Sequence, residues 1–231
     1  EKMLSRSMEH AGMDVGVTRF LRALTQFVMN VFLLFMIAGQ LGMDSASIVA
    51  VLGAAGLALS LALQQSLGNF AGGLLILIMK PFRVGDYIIS PSGEGRVSMV
   101  GLVYTTILTT DNKAITIPNG TLSNSTVTNV TAMDKRMLEL KVGIAYEADI
   151  RTAKAVLERV YREHPMVKKD EDIKVFVDSL GDSSVVLGIR GWVETADYWQ
   201  TRWDILEQIK LSFDEAGIEI PYNKMDIHLK Q

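Results

Sequence analysis

Two long stretches without a single acidic or basic side chain decide what this chain can be. Ala23 to Met43 holds no Asp, Glu, Lys or Arg, Ser45 to Met79 again holds none, and only Asp44 separates them. The first stretch, 21 residues, is close to the ~20 that an α-helix needs to cross ~30 Å of hydrocarbon. Bulky side chains (Phe27, Val28, Val31, Phe32, Leu33, Leu34) surround it, as a helix facing lipid on most sides requires, and it is too long for the apolar region of a signal peptide. A transmembrane span over about residues 17–42 is the expectation, within an N-terminal segment 1–47. Almost all remaining charge lies beyond Lys80, so a membrane part precedes a soluble part.

The second stretch has 35 residues, and as one straight helix at ~1.5 Å per residue it would be ~52 Å long and overshoot the bilayer. A helix over 48–80, broken near 64–68, is therefore expected. Gln64, Gln65, Gly68 and Asn69 mark the place, because glycine weakens a helix and side-chain amides can satisfy freed backbone groups. Lys2, Arg6, Arg19 and Arg22 precede the first span and Lys80 and Arg83 follow the second, whereas the loop around Asp44 has no cation. By the positive-inside rule both ends are cytoplasmic and the loop is external.

With Leu57 at the front of a helical wheel, Leu61 falls within ~40° of it and Ala50 lies between them. Ala54 and Ala58 flank this ridge on one side; Gly53, Gly56 and Ser60 flank it on the other. Small flanks let backbones approach closely in a membrane. Because the two flanks differ, seating one on the other is a heterologous contact, which repeats into a ring if the rotation closes. Leu57 and Leu61 would then face the axis and form an apolar constriction that excludes water and ions by dewetting. The same small residues could instead pack this helix on the first span.

The stretch Ala50-Val-Leu-Gly-Ala-Ala-Gly-Leu-Ala-Leu-Ser-Leu-Ala-Leu-Gln-Gln-Ser-Leu-Gly-Asn69, with Lys80-Pro-Phe-Arg-Val-Gly-Asp86, strongly resembles the pore helix and following segment of small-conductance mechanosensitive channels. Ile117-Pro-Asn-Gly120 and Ile218-Glu-Ile-Pro221-Tyr are similar to that family too, and the resemblance covers roughly Asp14 to Lys230. It implies a homoheptamer in a bacterial inner membrane that opens under tension and releases ions and small solutes during hypoosmotic shock. It also implies three transmembrane helices per subunit, so that one span would precede Glu1. Leu57 and Leu61 match the hydrophobic seal of the family, and Asn69 sits in the polar region after the helix break. Two departures stand out: Gln65 replaces the kink glycine of the family, and Ser60 replaces a flank glycine.

Past Pro81, short β-type runs predict a small β domain over 81–134. They are Asp86–Ser90, Arg96–Thr110 and Ala114–Pro118, with turns at Gly93-Glu94-Gly95, Asp111-Asn112-Lys113 and Pro118-Asn119-Gly120. From 135 to 222 the pattern is α+β, expected as a ferredoxin-like α/β domain. Its strands are near 138–144, 173–179 and 184–193, and its helices 149–164 and 201–216, the first capped by Asp149. Met225, Ile227 and Leu229 alternate with polar residues, and a lone strand of this kind over 223–231 needs partners. The resemblance implies that it joins a terminal barrel built from all subunits.

A net charge of −3 does not suggest a nucleic-acid partner. His10, His164 and His228 show no ligand spacing, no cysteine is present, and no catalytic signature appears, so neither metal, cofactor nor enzyme activity is expected. The sequons at Asn119, Asn124 and Asn129 fall in the segment expected to be cytoplasmic and read as turn and strand residues. Arg83 and Asp86 could pair or sit at the lipid surface, Phe82 could anchor at the interface or pack as an ordinary apolar residue, and Trp192, Trp199 and Trp203 suit core or subunit-interface packing. The leading reading is a tension-gated channel subunit, with membrane lipids and its own copies as partners. A secondary transporter and a non-conducting membrane anchor are the alternatives. No ionisable residue in the spans supports transport coupling.

Overall fold

The computed structural model describes residues 15–42 and 44–225. It divides between Ala71 and Gly72 into two compact units. In the first unit, helix α1 (Val15–Gln40) ends at Gly42, whose φ of +89° is a left-handed conformation suited to glycine. Asp44 then opens helix α2 (Ser45–Met79): its carboxylate accepts the Ala46 N–H at 3.3 Å and its carbonyl accepts the Ser47 and Ile48 N–H groups.

Helix α2 corrects the expected break. It runs as one α-helix of 35 residues through Gln64, Gln65, Gly68 and Asn69. One interior glycine costs only ~1 kcal/mol relative to alanine, whereas a freed backbone group in hydrocarbon costs several kcal/mol, so continuity wins. The length problem is met differently, because from Gly72 onward the helix packs as part of the second unit. It stops at Lys80, which takes φ 48° and donates its N–H to Ile76 O at 2.9 Å. Pro81 follows with no N–H to offer and disfavours the α region for the residue before it.

The second unit begins with that helix end and a five-stranded antiparallel sheet, order β4-β3-β2-β1-β5. Its strands are β1 (Tyr87–Ser90), β2 (Gly93–Val100), β3 (Tyr104–Leu108), β4 (Ala114–Pro118) and β5 (Thr128–Asn129). The expected single run Arg96–Thr110 is two strands, β2 and β3, reversed at Gly101-Leu102-Val103, where Gly101 N–H donates to Tyr104 O at 2.9 Å. Leu102 and Val103 are apolar and carry no turn signature, which hid the reversal. Gly93-Glu94-Gly95 belongs to β2 and the turn falls on Pro91-Ser92. Pro118-Asn119-Gly120 opens a short helix, α3 (Asn119–Ser123), rather than a turn. The core of this sheet is Ile76, Phe82, Ile88, Val97, Ile107, Ile117 and Leu122, so Phe82 is a core residue and not an interfacial anchor.

Next come β6 (Lys135–Ile144), α4 (Ile150–Glu163), β7 (Lys174–Leu180), β8 (Val185–Glu194) and α5 (Tyr198–Glu215). The sheet order β6-β8-β7 is that of a ferredoxin-like unit up to its last strand. Among the described residues no fourth strand follows α5; instead Glu219 O accepts the Ala145 N–H at 2.9 Å. Helix α4 begins where expected, with Asp149 accepting from Arg151 N and Thr152 N. Its buried Ala153, Val156, Leu157, Val160 and Tyr161 meet Ile205, Ile209 and Phe213 of α5 over the sheet. Residues 226–231 of the expected C-terminal strand lie outside the described residues, as do His10 and His228.

Candidate functional site

The leading part of α2 is bare. Leu57 and Leu61 are each 63% exposed, one helical turn apart on one face, and Ala50, Ala54, Ala58 and Ser60 beside them are exposed as well. A Cβ added at Gly53 or Gly56 would meet nothing within 4 Å. Among the described residues, all three strips predicted for this helix are therefore uncovered. Full burial of a leucine side chain is worth about 1.5–3 kcal/mol, so a helix this apolar requires lipid or other copies around it.

Eleven residues past Leu61 the situation reverses. A Cβ at Gly72 would lie 2.7 Å from Asn119 O and from Ser123 Oγ, and one at Gly73 would lie 2.1 Å from Leu102 O. Nothing larger than glycine fits against the β2–β3 reversal and α3. Asn119, fully buried, ties those two loops together. Its Oδ1 accepts the Thr105 hydroxyl at 2.7 Å, its Nδ2 donates to Gly101 O at 2.8 Å, and its own N–H donates to Val103 O at 2.9 Å. Sequence reasoning passed over both glycines and saw in Asn119 only a turn and a sequon. The signal was present, since a Gly-Gly pair inside an apolar helical run marks a close approach.

Below the helix end, Asp86 does not pair with the Arg83 guanidinium. Its carboxylate accepts the Arg83 backbone N–H at 2.8 Å and the Asn129 side-chain amide at 2.8 Å. Asn129 is thus a brace of the β domain. Lys80 and Arg83 are exposed, and among the described residues neither side chain is in a salt bridge. His164 lies far along the chain, where its Nδ1 accepts the Met166 N–H at 3.3 Å and its Nε2 faces Asp204 at 3.8 Å. Trp199 and Trp203 are 57% and 59% exposed, so neither belongs to the subunit core.

Three consecutive parts of the chain match descriptions of one family. Residues 26–64 match "Mechanosensitive ion channel, transmembrane helices 2/3". Residues 65–132 match "Mechanosensitive ion channel, beta-domain", a match that starts inside α2. Residues 138–220 match "Mechanosensitive ion channel MscS, C-terminal". A small-conductance mechanosensitive channel of Edwardsiella ictaluri is 38% identical over 228 residues, covering 99% of this chain and 80% of that protein. An uncharacterized MscS family protein of Buchnera aphidicola is 37% identical over 218 residues, covering 94% and 78%. The closed-state crystal structure of Helicobacter pylori MscS superposes with a TM-score of 0.90 at 28% identity, covering 99% of this chain and 91% of that one. With its uncovered apolar helices, its β domain and its α/β domain all matched in order, the chain belongs to the small-conductance mechanosensitive channel family, as a channel subunit.

Proposed function

We propose that seven copies of this subunit form a ring in a bacterial inner membrane, with the soluble part in the cytoplasm, and that membrane tension opens it to release ions and small solutes during hypoosmotic shock. The observation that carries the reading is the bare face of α2: a leucine ridge between an alanine flank and a Gly/Ser flank, left uncovered by the described residues. Ala54 and Ala58 of one copy seat against Gly53, Gly56 and Ser60 of the next. Leu57 and Leu61 then stack as rings around the axis and close the pore by dewetting. Tension widens the ring and draws both leucines off the axis. Lipid supplies the remaining cover for α1, and the exposed Lys80 and Arg83 suit anionic headgroups at the cytoplasmic surface.

Suction applied to a membrane patch containing the purified protein tests this reading. Stepwise conductance appears above a threshold pressure, and Leu57→Ser, which hydrates the seal, lowers that threshold and slows growth. Silence up to patch rupture would overturn the reading. A particle mass of seven subunits in detergent checks the count.

A further inference from the structure

The end of α2 is held in a costly backbone conformation. Lys80 takes φ 48°, a left-handed value that crowds any Cβ, and it stands directly before Pro81, which narrows its choices further. Conformations of this kind persist only where the surroundings over-determine them, and they gather at parts that clamp or switch. On the helix side the Lys80 N–H is bonded to Ile76 O at 2.9 Å. On the other side Phe82 is buried in the core of the β domain. Between these two anchors the Pro81 carbonyl accepts the Asn129 side-chain amide at 3.4 Å.

Both polar atoms of the Asn129 amide have a defined role. Nδ2 donates to Asp86 Oδ2 at 2.8 Å as well as to Pro81 O, and Oδ1 accepts the Thr131 N–H at 3.1 Å and the Thr131 hydroxyl at 3.3 Å. This is an Asx turn closed by a second bond. The Thr131 oxygen in turn accepts the Tyr87 N–H at 2.9 Å, and Asp86 Oδ2 also accepts the Arg83 N–H at 2.8 Å. The strap from Pro81 to Tyr87 is thus gathered onto one side chain of β5, a strand that pairs with β1 at Ile88 and Ile89. The Asn129-Val130-Thr131 pattern, which reads as a sequon, serves this turn. A donor is needed on one side of the amide and an acceptor on the other, so neither an acid nor a hydrocarbon can replace it.

We infer that Asn129 is a positioning residue for gating: it holds the strap, and through Pro81 the strained Lys80, so that the foot of α2 and the β domain move as one body. The inference rests on the tension-gated reading above and names a residue that sets how much of the soluble part α2 must carry when it moves. With the brace intact, a swing of the helix end is resisted by the sheet. With it cut, Lys80 relaxes out of its left-handed conformation and the helix end turns without dragging β1 and β5. Loss of Asn129 therefore lowers the tension threshold. It leaves the conductance of the open channel as it was, since no atom of the brace belongs to the leucine ridge.

Asn129→Asp is the sharpest test, because it keeps the shape of the side chain and its Asx turn and changes only the group facing Asp86 and Pro81 O from a donor to an acceptor. In patches containing the full chain at neutral pH, Asn129→Asp and Asn129→Ala both open at lower pressure than the wild type, with unitary conductance unchanged. As the pH on the soluble side falls through the carboxylate range, Asn129→Asp recovers toward the wild-type threshold measured at the same pH, because a proton shared between two facing carboxyl groups restores the missing donor. Asn129→Ala does not recover. Leu157→Ala, which loosens the α/β domain instead, leaves the threshold in place.

Thresholds equal to that of the wild type in both Asn129 variants, or the same pH response in the two, overturn the brace and leave the channel reading standing. A threshold lowered as much by Leu157→Ala also overturns it, since any loosened fold would then act alike. A wild type silent up to patch rupture overturns the channel reading and the brace with it. Hydrogen exchange on the purified protein gives a check without gating: the Arg83 and Tyr87 amides exchange faster in Asn129→Ala, and unchanged protection at both overturns the brace.

Discussion

The glycines of a single helix set two regions of this molecule apart. At Gly53, Gly56 and Gly68 a side chain would meet nothing, while at Gly72 and Gly73 it would strike backbone. The same residue type therefore does two different jobs. In the leading part of α2 it has open space beside it among the described residues, and at the trailing end it lets the helix bed into the β domain. The leucines repeat the contrast: Leu57 is bare, whereas Leu157 of α4 is fully buried among its own chain. Among the described residues the membrane-length helices keep most of their apolar surface bare, whereas the soluble part buries a core of its own.

The comparison can be broken by substitution. Leu157→Ala removes a fully buried side chain, and such changes cost about 2–5 kcal/mol; denaturant unfolding of the soluble part should show it, while Leu57→Ala leaves the same transition in place. Equal shifts for both would erase the distinction. Gly73→Ala drives a methyl into Leu102 O, where backbone has to yield, and overpacking of this kind costs about 1–3 kcal/mol. Gly56→Ala meets open space in the subunit and should leave unfolding unchanged while weakening the assembled ring in native mass measurements.

Asn119→Ala strands the Thr105 hydroxyl and Gly101 O, a loss of about 1–3 kcal/mol. It should also raise hydrogen exchange at Gly101–Thr105. Unchanged protection there would show that the side chain does not hold the two loops.

The smallest effect concerns Asp149. The Thr152 hydroxyl, then the N–H groups of Arg151 and Thr152, hold its carboxyl below the usual carboxylate range. A carboxyl whose pKa is lower folded than unfolded contributes stability above its unfolded value and loses it as pH falls toward the folded one. The advantage of the wild type over Asp149→Asn, which keeps a capping side chain, should shrink as pH drops through the carboxylate range. A difference independent of pH, measured by thermal melts, would uncouple the cap from titration.

Much of this architecture was legible because its signals are local. Absence of charge over a bilayer's length marks α1 and α2, the 3.6-residue period marks α4, and an Asp ahead of it marks the cap. What escaped was set by contacts distant in sequence. Phe82 reads like a membrane anchor beside Lys80 and Arg83, yet it is claimed by strands arriving later in the chain. Leu102 and Val103 read as strand, yet they form the reversal against which Gly73 rests. The polar cluster at Gln64–Asn69 reads as a break, yet helical hydrogen bonds run through it.

The order of apolar and polar residues thus determined by itself that this chain has membrane-length helices, a leucine ridge between two small-residue flanks, and a soluble α and β part. These follow from burial and periodicity, which act along the chain. Only the tertiary structure decided where α2 passes from bare to bedded, that Asn119 is a buried tie, and that Trp199 and Trp203 stay outside the core. Those outcomes depend on which backbone arrives beside a given residue, and close packing admits or refuses a side chain by fractions of an ångström that no local pattern records.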